Sequence, residues 1–212
     1  MSVPDRDPAA EAEAIARWDE RHQGGDFEGR GPNPTLVATL RGVPPGRALE
    51  LGAGSGTNAV WLAQQGWAVT AVDWSRVALD NARRQAETAS VTLDLQQRNV
   101  FDWVPPAGGY DLVLLVYLQL PPAQRRAVYP AAAAAVAPGG RLVVIGHDRS
   151  NVVPGHESHP DPERLFTATE LADELAAAVP DLVVERAQVL TQDPVPAHNP
   201  IDALLVARMG PR

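Results

Sequence analysis

Short apolar runs of strand length alternate with longer stretches of helical period along this 212-residue chain. Such alternation is typical of a parallel sheet that is covered by helices on both faces. The apolar runs predict seven strands, at Arg47–Leu51, Ala68–Asp73, Thr92–Arg98, Tyr110–Val116, Arg141–His147, Leu182–Leu190 and Asp202–Arg208. The helical stretches predict six helices, at Ala9–Gln23, Pro34–Leu40, Asn58–Gln65, Ser75–Glu87, Pro122–Val136 and Thr169–Ala178. The pattern indicates an open, doubly wound α/β fold.

The two ends of the chain depart from this alternation. No helical pattern separates the last two strands, only the segment TQDPVPAHNP, which favours an antiparallel hairpin at a sheet edge. Ahead of the first strand, residues 1–45 predict a helical cap segment, and residues 46–212 predict the core. The length suits one domain spanning 1–212. Within the core, Pro138 and Gly139-Gly140 predict a helix stop and a tight turn before the strand that starts at Arg141.

Charge and composition exclude several function classes. The chain carries 18 cationic and 26 acidic residues, and a net charge of -8 disfavours nucleic acid and anionic membrane surfaces as partners. Every cationic residue is arginine and cysteine is absent, which excludes a Schiff-base lysine, a phosphate-loop lysine, a thiolate nucleophile and a thiolate metal site. The acidic N-terminus and the lack of a long apolar run predict a cytoplasmic protein with no membrane span.

A glycine-rich loop follows the first predicted strand. The segment from Glu50 to Gly56 reads ELGAGSG, with G-x-G-x-G spacing, whereas a dinucleotide fingerprint places its third glycine where Thr57 stands. Asp73 ends the next strand, 23 residues after Glu50, and a carboxylate there can accept hydrogen bonds from ribose hydroxyls. Three interpretations follow: an S-adenosylmethionine site, an NAD site, or a tight strand-to-helix turn without a ligand.

The run RALELGAGSGTNAVWLAQQGWAVTAVDWS closely resembles motif I and the acidic second-strand motif of class I S-adenosylmethionine-dependent methyltransferases. The segments WDERHQGGDFEGRGPNPTLV and GHDRSNVVPGHESHPDPERLFTATELADEL look like the small bacterial tellurite-resistance and thiopurine methyltransferase-like group. The resemblance implies a Rossmann-like sheet with strand order 3-2-1-4-5-7-6, in which strand 7 is antiparallel. It also implies S-adenosyl-L-methionine as the cofactor.

The resemblance further implies which residues hold the methionine and ribose parts of the cofactor. Gly52, Gly54 and Gly56 would line the methionine part. Glu50 would lie near the amino group, where negative charge is favourable, and Asp73 would bind the ribose.

On the adenine side, Trp74 corresponds to the residue that packs on the ring, although an ordinary half-buried aromatic is the alternative. Asn99 stands where the family usually has an aspartate, and its amide oxygen can still accept a hydrogen bond from the adenine amino group. The backbone amide of Val100 would complete the adenine edge. Val116 and Tyr117, where the fourth strand ends, would lie under the sulfonium.

Methyl transfer from a sulfonium is an in-line displacement, so the protein mainly positions donor and acceptor and needs no covalent nucleophile. Tyr117 and His147 are the expected catalytic residues, with His147 acting as a base or orienting the substrate. A metal site on the neighbouring histidines is the weaker alternative, and no metal is expected. Other acceptor-side candidates are Arg30, Asn33, Gln119, Asp148, Arg149, His156 and His159.

Three functional hypotheses compete. The leading one is a methyltransferase for a small-molecule acceptor, acting as a monomer or homodimer. Arsenite is disfavoured as its substrate because arsenite methyltransferases bind it through cysteines. The alternatives are an NAD-dependent oxidoreductase and a non-catalytic module that senses S-adenosylmethionine.

Overall fold

The computed structural model describes residues 6–24, 30–152, 161–191 and 201–211. Its helices are α1 (Pro8–Gln23), α2 (Pro34–Thr39), α3 (Thr57–Gln64), α4 (Arg76–Thr88), α5 (Pro122–Ala134) and α6 (Ala168–Ala178). Its strands are β1 (Arg47–Leu51), β2 (Ala68–Asp73), β3 (Asp94–Gln97), β4 (Tyr110–Val116), β5 (Val136–His147), β6 (Leu182–Thr191) and β7 (Ile201–Met209). Short 3-10 helices, which the sequence pattern does not predict, occupy Arg149–Asn151 and Pro162–Arg164.

The seven strands form a sheet in the order β3-β2-β1-β4-β5-β7-β6. Strand β2 runs parallel to β1 and to β3, and β4 runs parallel to β5. Strand β7 is antiparallel to both β5 and β6. The predicted fold class, strand order and edge hairpin are therefore confirmed.

Two compact units divide the chain, an N-terminal unit of residues 5–104 and a C-terminal unit that contains residues 105–212. The boundary lies between β3 and β4, inside the 46–212 stretch for which the sequence predicts one continuous core. Across the described ranges, no helix has both the length and the apolar character that a membrane crossing requires.

Helix α4 shows how the N-terminal unit is assembled. Its apolar positions Ala78, Leu79, Ala82 and Ala86 are all buried and share one face of the helix. Ser75 is the N-cap of the helix, and its Oγ accepts a hydrogen bond from the Ala78 N–H. This capping residue lies two residues after Asp73, which ends β2.

The junction between α5 and β5 differs from the sequence prediction. The helix ends at Ala134, and β5 begins at Val136 where the sequence predicts continued helix. Val136 pairs with Tyr110 while Arg141 pairs with Leu112, so the predicted turn is a bulge within β5. A Cβ on Gly140 would lie 2.8 Å from the Asp111 carbonyl oxygen, so the bulge needs glycine there.

Candidate functional site

The glycine-rich loop leaves β1 in a conformation that favours glycine. Gly52, Gly54 and Gly56 have φ angles of 71°, 54° and 80°, all in the left-handed region. The Gly52 and Ala53 N–H groups both donate to the carbonyl oxygen of Val72, at 2.9 and 3.0 Å. The loop is thus fastened to β2, the strand that carries Asp73.

Gly54 and Gly56 have different surroundings. A Cβ on Gly56 would lie 2.6 Å from the Ala82 Cβ on α4, so Gly56 serves close helix packing. A Cβ on Gly54 would only meet His22 Cε1 at 3.4 Å, an ordinary contact. The glycine at 54 is therefore needed for its backbone conformation, and the one at 56 for conformation and packing together.

Glu50 is a buried carboxyl with one unused oxygen. The side chain is 1% exposed, and Oε1 accepts a hydrogen bond of 2.9 Å from Asn58 Nδ2. Oε2 has no hydrogen-bond partner within the part of the chain that the structure describes. Burial, reinforced by the nearby charge of Asp73, raises the pKa of Glu50 to about 7, although the Asn58 amide and the Ala59 N–H oppose the shift. A cationic ligand group at Oε2 would satisfy this oxygen and favour its ionised form, so the site fits an amino-acid ammonium.

Asp73 ties the glycine loop to the end of β2. One carboxylate oxygen accepts from the Gly54 N–H and the other from the Ser75 N–H, both at 2.9 Å. Burial raises the pKa of Asp73, although these backbone donors favour its ionised form. Because a carboxylate oxygen can accept more than one hydrogen bond, Asp73 retains capacity for ribose hydroxyls.

The expected adenine residues lie in the same unit. Trp74 is half-buried and meets the ring of Phe101 edge-on, with centroids 6.3 Å apart. The Asn99 side chain accepts a hydrogen bond of 3.0 Å from the Phe101 N–H and donates one of 3.1 Å to Glu11. These two bonds fix which way the amide of Asn99 faces. Val100 follows, half-buried.

Helix α1 makes polar contacts that the sequence reasoning missed. His22, 6% exposed, places Nδ1 2.8 Å from Ser55 Oγ in the glycine loop. Asp19 accepts a hydrogen bond from the hydroxyl of Ser75. Together with the Glu11–Asn99 bond, the helix reaches three segments expected to hold the cofactor. No motif signals these contacts, because they depend on how α1 packs on the unit.

The start of α1 is anchored by Arg6. Its guanidinium donates to both carboxylate oxygens of Glu11, at 2.6 and 2.7 Å, and also bonds Asp102. The hydrogen bonds from Arg6 hold the pKa of Glu11 below its usual range. Glu11 therefore stays ionised as an acceptor for Asn99.

Asn33 supports Glu50 indirectly, through the side chain of Asn58. Its backbone N–H donates to Asn58 Oδ1 at 2.9 Å, and Asn58 in turn donates to Glu50. The Asn33 side chain caps α2 by accepting from the Leu36 N–H at 3.1 Å. Asn33 thus has a structural part, while Arg30 is exposed.

In the C-terminal unit, Tyr117 and His147 share one carboxylate. The Tyr117 hydroxyl donates to Asp202 Oδ2 at 2.7 Å, and His147 Nδ1 lies 3.2 Å from Asp202 Oδ1. The two rings pack with centroids 4.7 Å apart. Asp202 is 2% exposed, whereas Tyr117 is 37% exposed. The sequence predicts Tyr117 and His147 as catalytic residues, but it assigns Asp202 no role beyond a position in the last strand.

Gln119 holds the backbone of His147 in place, and the preceding Gly146 makes room for Phe166. The Gln119 side chain accepts from the His147 N–H at 3.1 Å and donates to its carbonyl oxygen at 3.3 Å. A Cβ on Gly146 would lie 2.7 Å from Phe166 Cζ, so only glycine lets that ring pack here. Val116, the last residue of β4, is buried at 8% exposure.

The remaining acceptor-side candidates either have structural contacts or fall outside the described residues. Asp148 caps the 3-10 helix at Arg149–Asn151, and Arg149 bonds the Leu165 carbonyl oxygen and Glu170. His156 and His159 lie outside the described residues. Among the residues that are described, no three histidine, aspartate or glutamate side chains are grouped as metal ligands would be.

Residues 48–140 match the family model of a methyltransferase domain. No curated protein matches the sequence. Among solved structures, 1,6-didemethyltoxoflavin-N1-methyltransferase from Burkholderia thailandensis, with that substrate and S-adenosylhomocysteine bound, is 19% identical. It superimposes with a TM-score of 0.71, covering 99% of this chain and 93% of that one. DhpI in complex with SAH is 22% identical, with a TM-score of 0.65 and coverage of 93% and 96%.

A third neighbour, the [4+2]-cyclase SpnF, is 18% identical, with a TM-score of 0.68 and coverage of 84% and 80%. The architecture of the chain is the Rossmann-like fold of class I S-adenosylmethionine-dependent methyltransferases. The match to the methyltransferase-domain family model spans residues 48–140, a little under half of the chain. The predictions of a methyltransferase and of S-adenosylmethionine as cofactor are confirmed at the level of domain family and fold. The tellurite-resistance and thiopurine-like grouping stays a prediction.

Proposed function

We propose that this protein transfers a methyl group from S-adenosylmethionine directly to a small-molecule acceptor. Buried Glu50 carries the proposal, because its Oε2 lies beside a glycine loop, has no hydrogen-bond partner among the described residues and would be satisfied by a cationic ligand group. The nicotinamide dinucleotides place a pyrophosphate near such a loop, and a carboxylate there would repel it. In this proposal the chain acts as one methyltransferase domain.

Cofactor binding is assigned to the N-terminal unit. Glu50 would bind the ammonium, Gly52 and Gly54 would line the methionine chain, and Asp73 would accept from the ribose hydroxyls. The glycine conformations and the fixed carboxylate of Asp73 support these roles. On the adenine side the proposal assigns Trp74, Asn99 and Val100.

The acceptor is assigned to the C-terminal unit, beside Tyr117 and His147 with Val116 at the strand end. In open α/β sheets, ligands bind outside the carboxyl ends of the strands, and these residues end β4 and β5. When bound, S-adenosylmethionine supplies an activated methyl group and a good leaving group. The protein then contributes positioning and exclusion of water, which can lower the barrier by about 7 to 11 kcal/mol.

A small-molecule acceptor is supported by two observations. The net charge of -8 disfavours nucleic acid. The Burkholderia thailandensis neighbour, which has nearly the same extent as this chain, is named as an N1-methyltransferase of 1,6-didemethyltoxoflavin.

Calorimetry tests the cofactor assignment. We expect S-adenosylmethionine and S-adenosylhomocysteine to bind the native protein, and Asp73→Asn to weaken both by roughly 10-fold to 100-fold as ribose and loop hydrogen bonds are lost. Asp80→Asn, on the exposed face of α4, is the matched control and should bind like the native protein. Binding of NAD in place of S-adenosylmethionine would contradict the proposal.

A labelled-methyl transfer screen over small amines, phenols, N-heterocycles, thiols, selenite and tellurite tests the reaction. We expect label to appear in one acceptor class and S-adenosylhomocysteine to form in equal amount. Tight binding without transfer to any class would contradict catalysis and indicate a sensor or, as in SpnF, another reaction on this fold.

A further inference from the structure

Asp202 contacts both Tyr117 and His147, the two residues that the sequence predicts as catalytic. It stands directly opposite His147 in the antiparallel β5–β7 ladder. From there its two carboxylate oxygens reach Tyr117 Oη at 2.7 Å and His147 Nδ1 at 3.2 Å. A nearly inaccessible carboxylate thus lies behind a histidine whose side chain is 25% exposed.

We propose that Asp202 positions His147 as a general base, and that the methyl acceptor is therefore a neutral nucleophile with an N–H or O–H group. This inference rests on the proposed methyltransferase function and names the acceptor class for it. Tyr117 completes the arrangement by donating to the second oxygen of Asp202.

The tautomer of His147 follows from its partner. An ionised carboxylate can only accept hydrogen bonds, so Asp202 selects the ring form with the proton on Nδ1. In neutral imidazole the lone pair then resides on Nε2, which can take a proton from an acceptor. A base oriented by a third group is the arrangement that general-base catalysis uses.

Several contacts make this arrangement rigid. Gln119 bonds both the N–H and the carbonyl oxygen of His147, and the Tyr117 ring packs against the imidazole at 4.7 Å. Tyr117 itself has a φ of 57°, a left-handed conformation that is unfavourable for a non-glycine residue. Such a conformation persists where surrounding contacts enforce it. Here it places the Tyr117 hydroxyl where it can donate to Asp202.

In the proposed step, the acceptor's lone pair forms the new bond to the methyl carbon, and the sulfur–methyl bond breaks with its electron pair remaining on sulfur. The proton of the acceptor N–H or O–H passes to His147 Nε2 and then to solvent. An acceptor that is already ionised, such as a thiolate, carries no proton to remove, so a general base would contribute nothing to its methylation.

Nitrogen-15 NMR of the histidine rings tests the tautomer without any turnover. In the native protein at pH 8 we expect the His147 signals, assigned by their loss in His147→Gln, to show Nδ1–H and unprotonated Nε2. Asp202→Asn should change that tautomer balance, while Asp80→Asn should leave it as in the native protein. A ring that is doubly protonated at pH 8, or protonated only on Nε2, would overturn the proposal.

Paired acceptors test the chemistry. For N–H or O–H acceptors, His147→Gln should lower kcat by about 100-fold to 10,000-fold with little change in KM, the range of general acid–base contributions. Asp202→Asn should also lower kcat for these acceptors. For acceptors that are already ionised at the assay pH, the loss should be at least about tenfold smaller.

The outcomes separate this inference from the proposed function. Methyl transfer by the native protein only to ionised acceptors would overturn the base while leaving the methyltransferase function intact. Equal losses for both acceptor types would also overturn it, since they indicate a purely structural part for His147. Absence of cofactor binding and of transfer to every acceptor would overturn both.

Discussion

At the scale of single residues, burial of carboxyl groups sets the chemistry of the N-terminal unit. Desolvation raises the pKa of both Glu50 and Asp73, and the charge of Asp73 further disfavours ionisation of Glu50. Asp73 has two backbone N–H donors within hydrogen-bond distance to offset this cost. At Glu50 the Asn58 amide and the Ala59 N–H offset only part of it, and Oε2 has no hydrogen-bond partner among the described residues. Glu50 is therefore the residue whose ionisation depends most on a ligand.

Glu50 predicts a pH-dependent stability without ligand. Its pKa, about 7 in the folded protein, exceeds the ordinary value of 4.5, so its contribution to stability is fully present below pH 4.5 and is lost as pH rises through 7. We expect Glu50→Gln to raise the free energy of unfolding at pH 8 by up to about 3 kcal/mol, and to change it little at pH 5. Urea unfolding of the ligand-free protein at both pH values measures this.

The same substitution should weaken S-adenosylmethionine binding at pH 8, because a neutral glutamine side chain cannot balance the charge of an ammonium. Glu87→Gln, exposed on α4, is the control, and its free energy of unfolding should change by less than about 0.5 kcal/mol at either pH. If Glu50→Gln lowered the free energy of unfolding equally at pH 5 and pH 8, the raised pKa of Glu50 would be contradicted as the source of the pH dependence.

At the scale of elements, the packing of α3 and α4 depends on Gly56. We expect Gly56→Ala to lower the free energy of unfolding by about 1–3 kcal/mol, through overpacking against Ala82 and a left-handed backbone angle. In an Ala82→Gly background, which itself lowers helix stability by about 1 kcal/mol, the 2.6 Å contact is gone but the strained angle remains. Measured against the Ala82→Gly single variant, Gly56→Ala should therefore cost less than in the native protein, so that part of the loss is recovered. Full recovery, or no recovery at all, in denaturant unfolding would assign the cost to one cause alone.

Helix α1 is expected to govern cofactor affinity through its contact with the glycine loop. His22→Ala removes the buried hydrogen bond to Ser55, so affinity for S-adenosylhomocysteine should fall by about 5-fold to 30-fold in calorimetry. Arg83→Ala, which breaks only the exposed pair with Asp80, should leave affinity within about twofold. Unchanged affinity in His22→Ala would mean that α1 stabilises the unit without shaping its loop.

At the scale of the whole molecule, ligand binding should appear as thermal stabilisation. Free S-adenosylhomocysteine at 100 times its Kd adds about 2.7 kcal/mol to the free energy of unfolding, which corresponds to a Tm increase of roughly 5–10 °C for a chain of this size. A thermal melt measures it, with Asp73→Asn titrated to the same ligand concentration as the control. An equal shift with NAD would contradict the cofactor assignment.

Much of the fold follows from local sequence pattern. Apolar runs and helical periods locate the seven strands and six helices of the described ranges, because side-chain periodicity reflects burial directly. The predicted end of the fifth helix, at Val136, is wrong because of pairing with a distant strand. Pro138 and the two glycines after it are typical of a turn, but in the structure they form a bulge within β5, which pairs with β4. The 3-10 helix at Arg149–Asn151 is too short to leave a periodic signal.

The order of strands and helices, the glycine loop between Glu50 and Asp73, and the chemistry that those residue types allow can all be predicted from the amino-acid sequence. Which distant side chains meet depends on the tertiary structure. His147 and Asp202 are 55 residues apart and become partners because β7 runs antiparallel beside β5 in that register. His22 reaches Ser55 for a similar reason, since side-chain contacts between separate elements depend on packing and register, which no local pattern records.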